Sequence, residues 1–346
     1  MAAQSLRVGV VGVGLMGADH AERLAGRIGH ATLVAVSDPD QARAGELAER
    51  LGVRSVGDPL DLIADPEVDA VVLASPGFVH EPQLLACIEH GKPVLCEKPM
   101  TMDAESSIRV LEAERAGGRP LIQVGFMRRF DPEYAQLKEI VDSGRLGRPL
   151  LVHNVHRNKA VPDTFLSEMI VRDSLVHEVD VARFIFGEEI TEITVLSPAA
   201  TSVAPEGTID PQVAIFRMAS GALVTTEVFV RNQIGYEVRC EVTCERGTAV
   251  AGRPSTQVYT TSAGEGSGDG GAGGRWGGEI PEDFRDRFSR AYDLEVQAWV
   301  DASLRREVVG PTSWDGYAAT AVCAAGMESL ATGRPVSVRL TSAFGA

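Results

Sequence analysis

Basic residues are in deficit: 33 Lys and Arg stand against 48 Asp and Glu, a formal net charge of −15. Phosphate backbones require a dense basic surface, so a nucleic-acid partner is not expected. Long apolar runs are also missing. None approaches the roughly 20 residues of a membrane span, and no membrane partner is expected. The opening MAAQSLR has no apolar block behind a basic end, which points to the cytoplasm rather than secretion. Cysteine is sparse and odd in number: Cys87, Cys96, Cys240, Cys244 and Cys323. Such a scattered set argues against a disulfide framework. Cys240 and Cys244 would share one face of a strand, yet no second Cys or His pair follows at zinc-ligand spacing. They read as core thiols, and no metal is expected.

What is present is ordinary globular material, 346 residues with 44% hydrophobic and 23% charged, long enough for two domains. The first third alternates strand and helix patterns. "RVGVVGV", "ATLVAVSD", "VDAVVLAS", "PVLCEKP" and "LIQVGFM" read as strands, with helices between them. Asp38 or Asp40 is a cap candidate for the second helix, and Gly52 closes it. Repeated units of this size predict an α/β domain over 1–125, a Rossmann-type, doubly wound parallel sheet. From 126 to 346 the pattern changes. Strand-like runs such as "PLLVHNVHRN" and "PQVAIFRMASGALVTTEVFVRN" suit hairpins, with a turn at "ASGAL". An α+β domain on a large, mostly antiparallel open sheet is predicted there. The glycine-rich stretch 262–279 reads as a surface loop.

Gly12, Gly14 and Gly17 spell G-x-G-x-x-G between the first strand and first helix. In a dinucleotide site the first glycine makes the turn, the second lets pyrophosphate approach backbone, and the third packs helix on strand. Leu15 and Met16 complete the loop, whose helix N-terminus offers N–H groups to phosphate. Asp38 ends the second strand, where a carboxylate accepts ribose hydroxyls and repels a 2′-phosphate. Neither Pro39 nor Asp40 supplies a balancing cation. NAD is therefore expected over NADP.

Glu97-Lys98-Pro99 closes a parallel strand at the edge where ligands of open α/β sheets bind. Pro99 keeps Lys98 out of helical geometry. In "VRDSLVHEVDVARFIF", Asp173, His177 and Asp180 fall at i, i+4 and i+7 of a helix, on one face. An acid one turn before a histidine can orient its ring.

Together, the glycine loop, the "EKP" strand end and the "D-x-x-x-H" helix resemble the Gfo/Idh/MocA oxidoreductase family over essentially the whole chain. "GFMRRFDPEY", "HNVHRN", "RFSRAYDLEVQ" and "GPTSWDGYAAT" are similar to its inositol-oxidising branch. The resemblance implies NAD-dependent oxidation of myo-inositol at C2, with scyllo-inositol or glucose as other substrates and a non-catalytic NAD-binding regulator as the rival role. It implies that Lys98, Asp173 and His177 are catalytic. Ser75, Pro76, His80 and Glu97 match the segments near the nicotinamide end; Arg128, His156, Asn158 and Tyr236 lie in stretches that resemble those lining the polyol pocket. A homotetramer assembled through the exposed face of the second domain's sheet is also implied.

Overall fold

The computed structural model describes residues 5–252, 258–259, 275–276 and 281–341. The chain forms two compact units, Met1–Phe130 with Arg290–Ala321 and Leu340–Ala346, and Asp131–Ser289 with Val322–Arg339. The expected division at 125/126 follows chain order. The two long C-terminal helices, α8 (Phe284–Leu304) and α9 (Ser313–Thr332), instead each give residues to both units.

The first unit runs β1 (Leu6–Val11), α1 (Leu15–Gly26), β2 (Ala31–Ser37), α2 (Gln41–Leu51), β3 (Arg54–Val56), α3 (Pro59–Ala64), β4 (Ala70–Leu73), α4 (His80–Glu89), β5 (Val94–Glu97), α5 (Ala104–Ala116) and β6 (Ile122–Gly125). These strands form one parallel sheet in the order β3-β2-β1-β4-β5-β6. β4, β5 and β6 are buried along their whole length, as strands covered on both faces must be. Val8, Val10, Val72 and Leu95 pack with Ala21 and Leu24 of α1 and with Val296, Trp299 and Val300 of α8. Each fully buried Val or Leu contributes about 1.5–3 kcal/mol. Asp40 caps α2 by accepting from the Arg43 N–H, and Gly52 ends it at φ 69°. That leaves Asp38 outside the cap. The order reverses between β1 and β4, which opens a crevice beyond the carboxyl ends of these strands.

In the second unit α6 (Pro132–Asp142) and β7 (Pro149–Arg157) are followed by a single helical turn, Ser167–Met169, and a π-helix, Ile170–Leu175. Next come α7 (Val176–Phe186), β8 (Ile190–Leu196), β9 (Gln212–Met218), β10 (Leu223–Phe229), β11 (Glu237–Cys244), β12 (Gly247–Ala251) and β13 (Val336–Ser337). The sheet order is β12-β11-β7-β10-β9-β8-β13. Among the described residues of this sheet, only the β7–β10 pair is parallel. Val238, Cys240, Val242 and Cys244 alternate into the core along β11. All five cysteines are buried and unbridged. Of the glycine-rich stretch 262–279, only Arg275–Trp276 is among the described residues, paired antiparallel with Val258–Tyr259. Among the described residues no helix is long and apolar enough to cross a membrane.

Candidate functional site

In the first unit the glycine loop leaves β1 at Gly12, φ 80°, where a Cβ would lie 2.5 Å from the Ser75 amide nitrogen. At Gly17 a Cβ would stand 1.7 Å from the Gly12 carbonyl oxygen. Both positions are therefore closed to any larger residue. Gly14 differs: a Cβ there meets nothing within 4 Å. It is the N-cap of α1, no side chain caps it, and no acid stands in the first turn. The helix thus presents its first N–H groups and partial positive charge across an open position, an arrangement suited to a pyrophosphate. Leu15 beside it is 58% exposed, and Phe78 after β4 is 73% exposed, so two apolar side chains stand open beyond this edge of the sheet. Met16 is half-buried.

Asp38 is buried, and both of its oxygens are engaged. Oδ2 accepts from the Val13 N–H at 2.8 Å; Oδ1 accepts from the Asp40 N–H at 2.9 Å and from Arg43 Nη2 at 3.1 Å. The carboxylate braces the glycine loop. Arg43, on the first turn of α2, is the neighbouring cation that Pro39 and Asp40 do not provide.

The loop after β4 and the end of β5 are tied together by His80. Its Nε2 lies 2.7 Å from the Ser75 carbonyl and its Nδ1 3.0 Å from the Pro99 carbonyl. Burial holds this imidazole below its ordinary proton affinity, against the raising effect of those carbonyls. Ser75 Oγ donates to Gln83 Oε1 at 2.6 Å, and Pro76 precedes the turn Gly77–Val79. Glu97 is buried, with Oε1 2.8 Å from His20 Nε2. A Cβ at Gly125 would come 3.1 Å from Glu97 Oε2, so the absent side chain leaves room for the carboxylate. His20 is fully buried on α1, and its Nδ1 has no hydrogen-bond partner among the described residues. It therefore acts as an Nε2–H donor to Glu97, because a second buried N–H would go unpaired. His20 thus connects the helix behind the glycine loop with β5, the strand that ends at Glu97 just before Lys98. Lys98 itself is half-buried, and Arg128, in the turn Met127–Phe130 after β6, is buried.

The other expected site residues belong to the second unit. Asp173 lies in the π-helix and His177 in the first turn of α7, so the α-helical spacing expected between them is widened by the π turn. Side chains at i and i+1 of a helix normally diverge. Here Arg172 nevertheless grips its neighbour, Nε to Asp173 Oδ1 at 2.9 Å and Nη2 to Oδ2 at 2.7 Å. That fork pushes the Arg172 proton affinity above the ordinary guanidinium value. His177 is buried, and the third expected member of this face, Asp180, is buried as well.

His156, from β7, stands edge-on to His177 with ring centres 6.2 Å apart and to Tyr236 at 5.7 Å. Tyr236 in turn packs against Phe284 and Phe288. Glu178, fully buried, lies with Oε2 3.0 Å from His156 Nδ1. Asn158 donates its N–H to the Phe229 carbonyl and accepts from Asn232 at its own carbonyl. Its side-chain Oδ1 is buried with no partner among the described residues, an acceptor suited to a hydroxyl. The second unit therefore brings His156, His177 and Tyr236 into one cluster.

Sequence reasoning missed four residues here. Arg43 and Arg172 were visible as cations near acids of interest. Nothing local in the chain links His20 to Glu97 or Glu178 to His156; those pairings exist only once the strands and helices have packed.

Residues 6–126 match the GFO/IDH/MocA family profile described as "Oxidoreductase family, NAD-binding Rossmann fold", and residues 134–250 match the GFO/IDH/MocA C-terminal domain. The chain is 54% identical over 339 residues to an inositol 2-dehydrogenase of Rhodococcus jostii (strain RHA1), covering 96% of this chain and 92% of that protein. The crystal structure of myo-inositol dehydrogenase from Lactobacillus casei in complex with NAD(H) and myo-inositol is similar at TM-score 0.89 and 31% identity, covering 98% of both chains. Scyllo-inositol dehydrogenase from the same organism, with bound NAD(H) and scyllo-inositol, is similar at TM-score 0.84 and 25% identity, covering 96% of this chain and 99% of that one.

Proposed function

Because the chain belongs to the GFO/IDH/MocA oxidoreductase family, we propose that it is an NAD-dependent inositol 2-dehydrogenase, oxidising myo-inositol at C2 to scyllo-inosose. The likeness to an inositol 2-dehydrogenase along nearly the whole chain carries this reading. The open position above Gly14 and the carboxylate of Asp38 support NAD as the coenzyme: Gly12, Gly14, Leu15, Met16 and Gly17 receive the pyrophosphate, and Asp38 the adenosine ribose. Ser75, Pro76, His80 and Glu97 frame the nicotinamide end, with His80 and Glu97 acting through the backbone and strand they brace.

Oxidising a secondary alcohol requires a base for the hydroxyl proton while NAD, when bound, accepts the hydride. His177 takes that proton, Asp173 orients the imidazole, and Lys98 hydrogen-bonds the oxygen as negative charge develops. Arg128, His156, Asn158 and Tyr236 hold the remaining hydroxyls. The partner is a small polyol. A purely NAD-binding regulator would have no use for this trio, and all three members are present.

The protein is assigned to the cytoplasm and to a homotetramer. The outward face of the second unit's sheet supports assembly: Leu151, Val155, Val213 and Ile215 are partly open there. Beside them Arg157 pairs with Glu227 and Glu237. Light scattering on the purified protein checks the state, and a monomer at micromolar concentration contradicts it. For the activity, absorbance of reduced nicotinamide is followed with NAD and a panel of cyclitols and hexoses. Fastest turnover on myo-inositol is expected. The likeness to a scyllo-inositol dehydrogenase makes scyllo-inositol the second candidate. Silence across the panel with NAD still bound would remove the enzymatic reading.

A further inference from the structure

Asn158 follows β7 and Tyr236 precedes β11, each one residue past the last register pair of these two strands, Arg157 with Glu237. Their backbone N–H groups turn to other partners, the Phe229 carbonyl for Asn158 and the Pro281 carbonyl for Tyr236. The side chain of Asn232 spans the place where the ladder stops. Its Nδ2 donates to the Asn158 carbonyl at 2.6 Å and to the carbonyl of Gly235, the residue before Tyr236, at 2.9 Å. Its Oδ1 accepts from the Ile234 N–H at 2.8 Å and from the Gly235 N–H at 3.4 Å, closing the turn 232–235. Exchanging O and N in this amide would set oxygen against two carbonyls, so the network fixes its orientation. The Asn232 N–H also donates to the Asn158 carbonyl, at 3.1 Å. The Asn158 backbone is thus held at its N–H and twice at its carbonyl, while its buried side-chain Oδ1 has no partner among the described residues. Such an acceptor is unfavourable until a donor meets it, and a polyol hydroxyl is a donor.

We infer that Asn232 is a positioning residue for the polyol: its carboxamide joins the end of β7 to the start of β11, so that Asn158 and Tyr236 meet the substrate as one fixed surface. The inference rests on the reading of Asn158 and Tyr236 as polyol contacts. Both hydrogens and both lone pairs of the Asn232 amide are committed to the chain. Asn232 therefore acts through those two residues and not by touching the substrate.

The test is steady-state kinetics with NAD and myo-inositol on Asn232→Ala, which loses the whole bridge, and Asn232→Asp, which keeps the turn acceptor and loses the donor to both carbonyls. Thermal unfolding first shows which variants fold. Each should raise KM for myo-inositol about 2- to 10-fold, the equivalent of one misplaced hydrogen bond. The KM for NAD should stay within about 2-fold. A merely structural residue would lower thermal stability and leave the KM values of the folded enzyme alone. In the Asn158→Ala/Tyr236→Phe background either Asn232 change should have no further effect on KM, because its action passes through those residues. If Asn232→Ala does not fold, Asn232→Asp and Asn232→Ser decide by the same comparison. A raised KM in the Asn158→Ala/Tyr236→Phe variant with an unaltered KM in the Asn232 variants overturns this inference alone. So does an Asn232 effect that persists in that background, or one that falls equally on NAD. An unaltered KM in the Asn158→Ala/Tyr236→Phe variant overturns the polyol-site reading of those two residues, and this inference with it.

Discussion

Arg43 Nη2 lies 3.1 Å from Asp38 Oδ1, and the other oxygen of that carboxylate holds the Val13 N–H of the glycine loop. On the proposed reading, coenzyme choice would depend on a pair rather than on one acid. As the proposed ribose-binding acid, Asp38 would repel a 2′-phosphate, while Arg43 would welcome it once that acid is removed.

Asp38→Ser should lower kcat/KM for NAD by about 10- to 100-fold, the equivalent of losing hydrogen bonds to a charged acceptor. It should also raise use of NADP. Adding Arg43→Ala should abolish the NADP gain. Initial rates with both coenzymes check this; an NADP gain that survives in the double variant would mean that Arg43 plays no part.

Gly14→Ala and Gly17→Ala should separate binding from folding. At Gly14 the new methyl group meets no protein atom within 4 Å, so stability should stay within about 0.5 kcal/mol while NAD affinity falls. At Gly17 the methyl group would sit 1.7 Å from the Gly12 carbonyl oxygen, forcing the backbone apart. Destabilisation of about 1–3 kcal/mol is expected there. Urea unfolding and NAD titration of both variants measure the contrast, and equal stability would contradict the packing described for α1.

The first unit was largely legible in the sequence, because buried parallel strands write continuous apolar runs and the glycines leave a fixed spacing. β3 was not: Arg54–Val56 is three residues long, too short to show a period. The parallel pairing of β7 with β10 was equally hidden, since alternation sets the face of a strand and not its neighbour. At the site, Asp173 and His177 could be picked out, but the π-helix between them could not, as no residue pattern distinguishes one wide turn from an α turn. His20–Glu97 and His156–Glu178 join residues 77 and 22 positions apart, and only packing creates them.

His80 makes stability depend on pH. The unfolded chain binds a proton at this imidazole near the ordinary value of about 6.5, whereas burial lowers the affinity in the folded state. As pH falls through that value the unfolded state gains the proton first, so stability falls; above about pH 7 neither state binds it and the contribution is constant. His80→Asn should flatten the acid-side slope by at most about 1.4 kcal/mol per pH unit. Urea unfolding between pH 7 and pH 5 reads the slope. An unaltered slope would show that His80 takes its proton equally well in both states.

His177→Ala should leave the fold and NAD binding intact while turnover drops by about 10²- to 10⁴-fold, the range for removing a general base. Stopped assays on protein verified by circular dichroism are sufficient. Turnover near the normal rate would take the proton-accepting role away from His177.

The central claim is that hydrogen leaves C2 of myo-inositol for NAD. Myo-inositol deuterated at C2 tests it in a single assay. The account predicts deuterium in the reduced nicotinamide recovered from the reaction, detected by mass spectrometry, together with scyllo-inosose as the product. Reduced coenzyme free of deuterium, or no reduced coenzyme from myo-inositol at all, would contradict it.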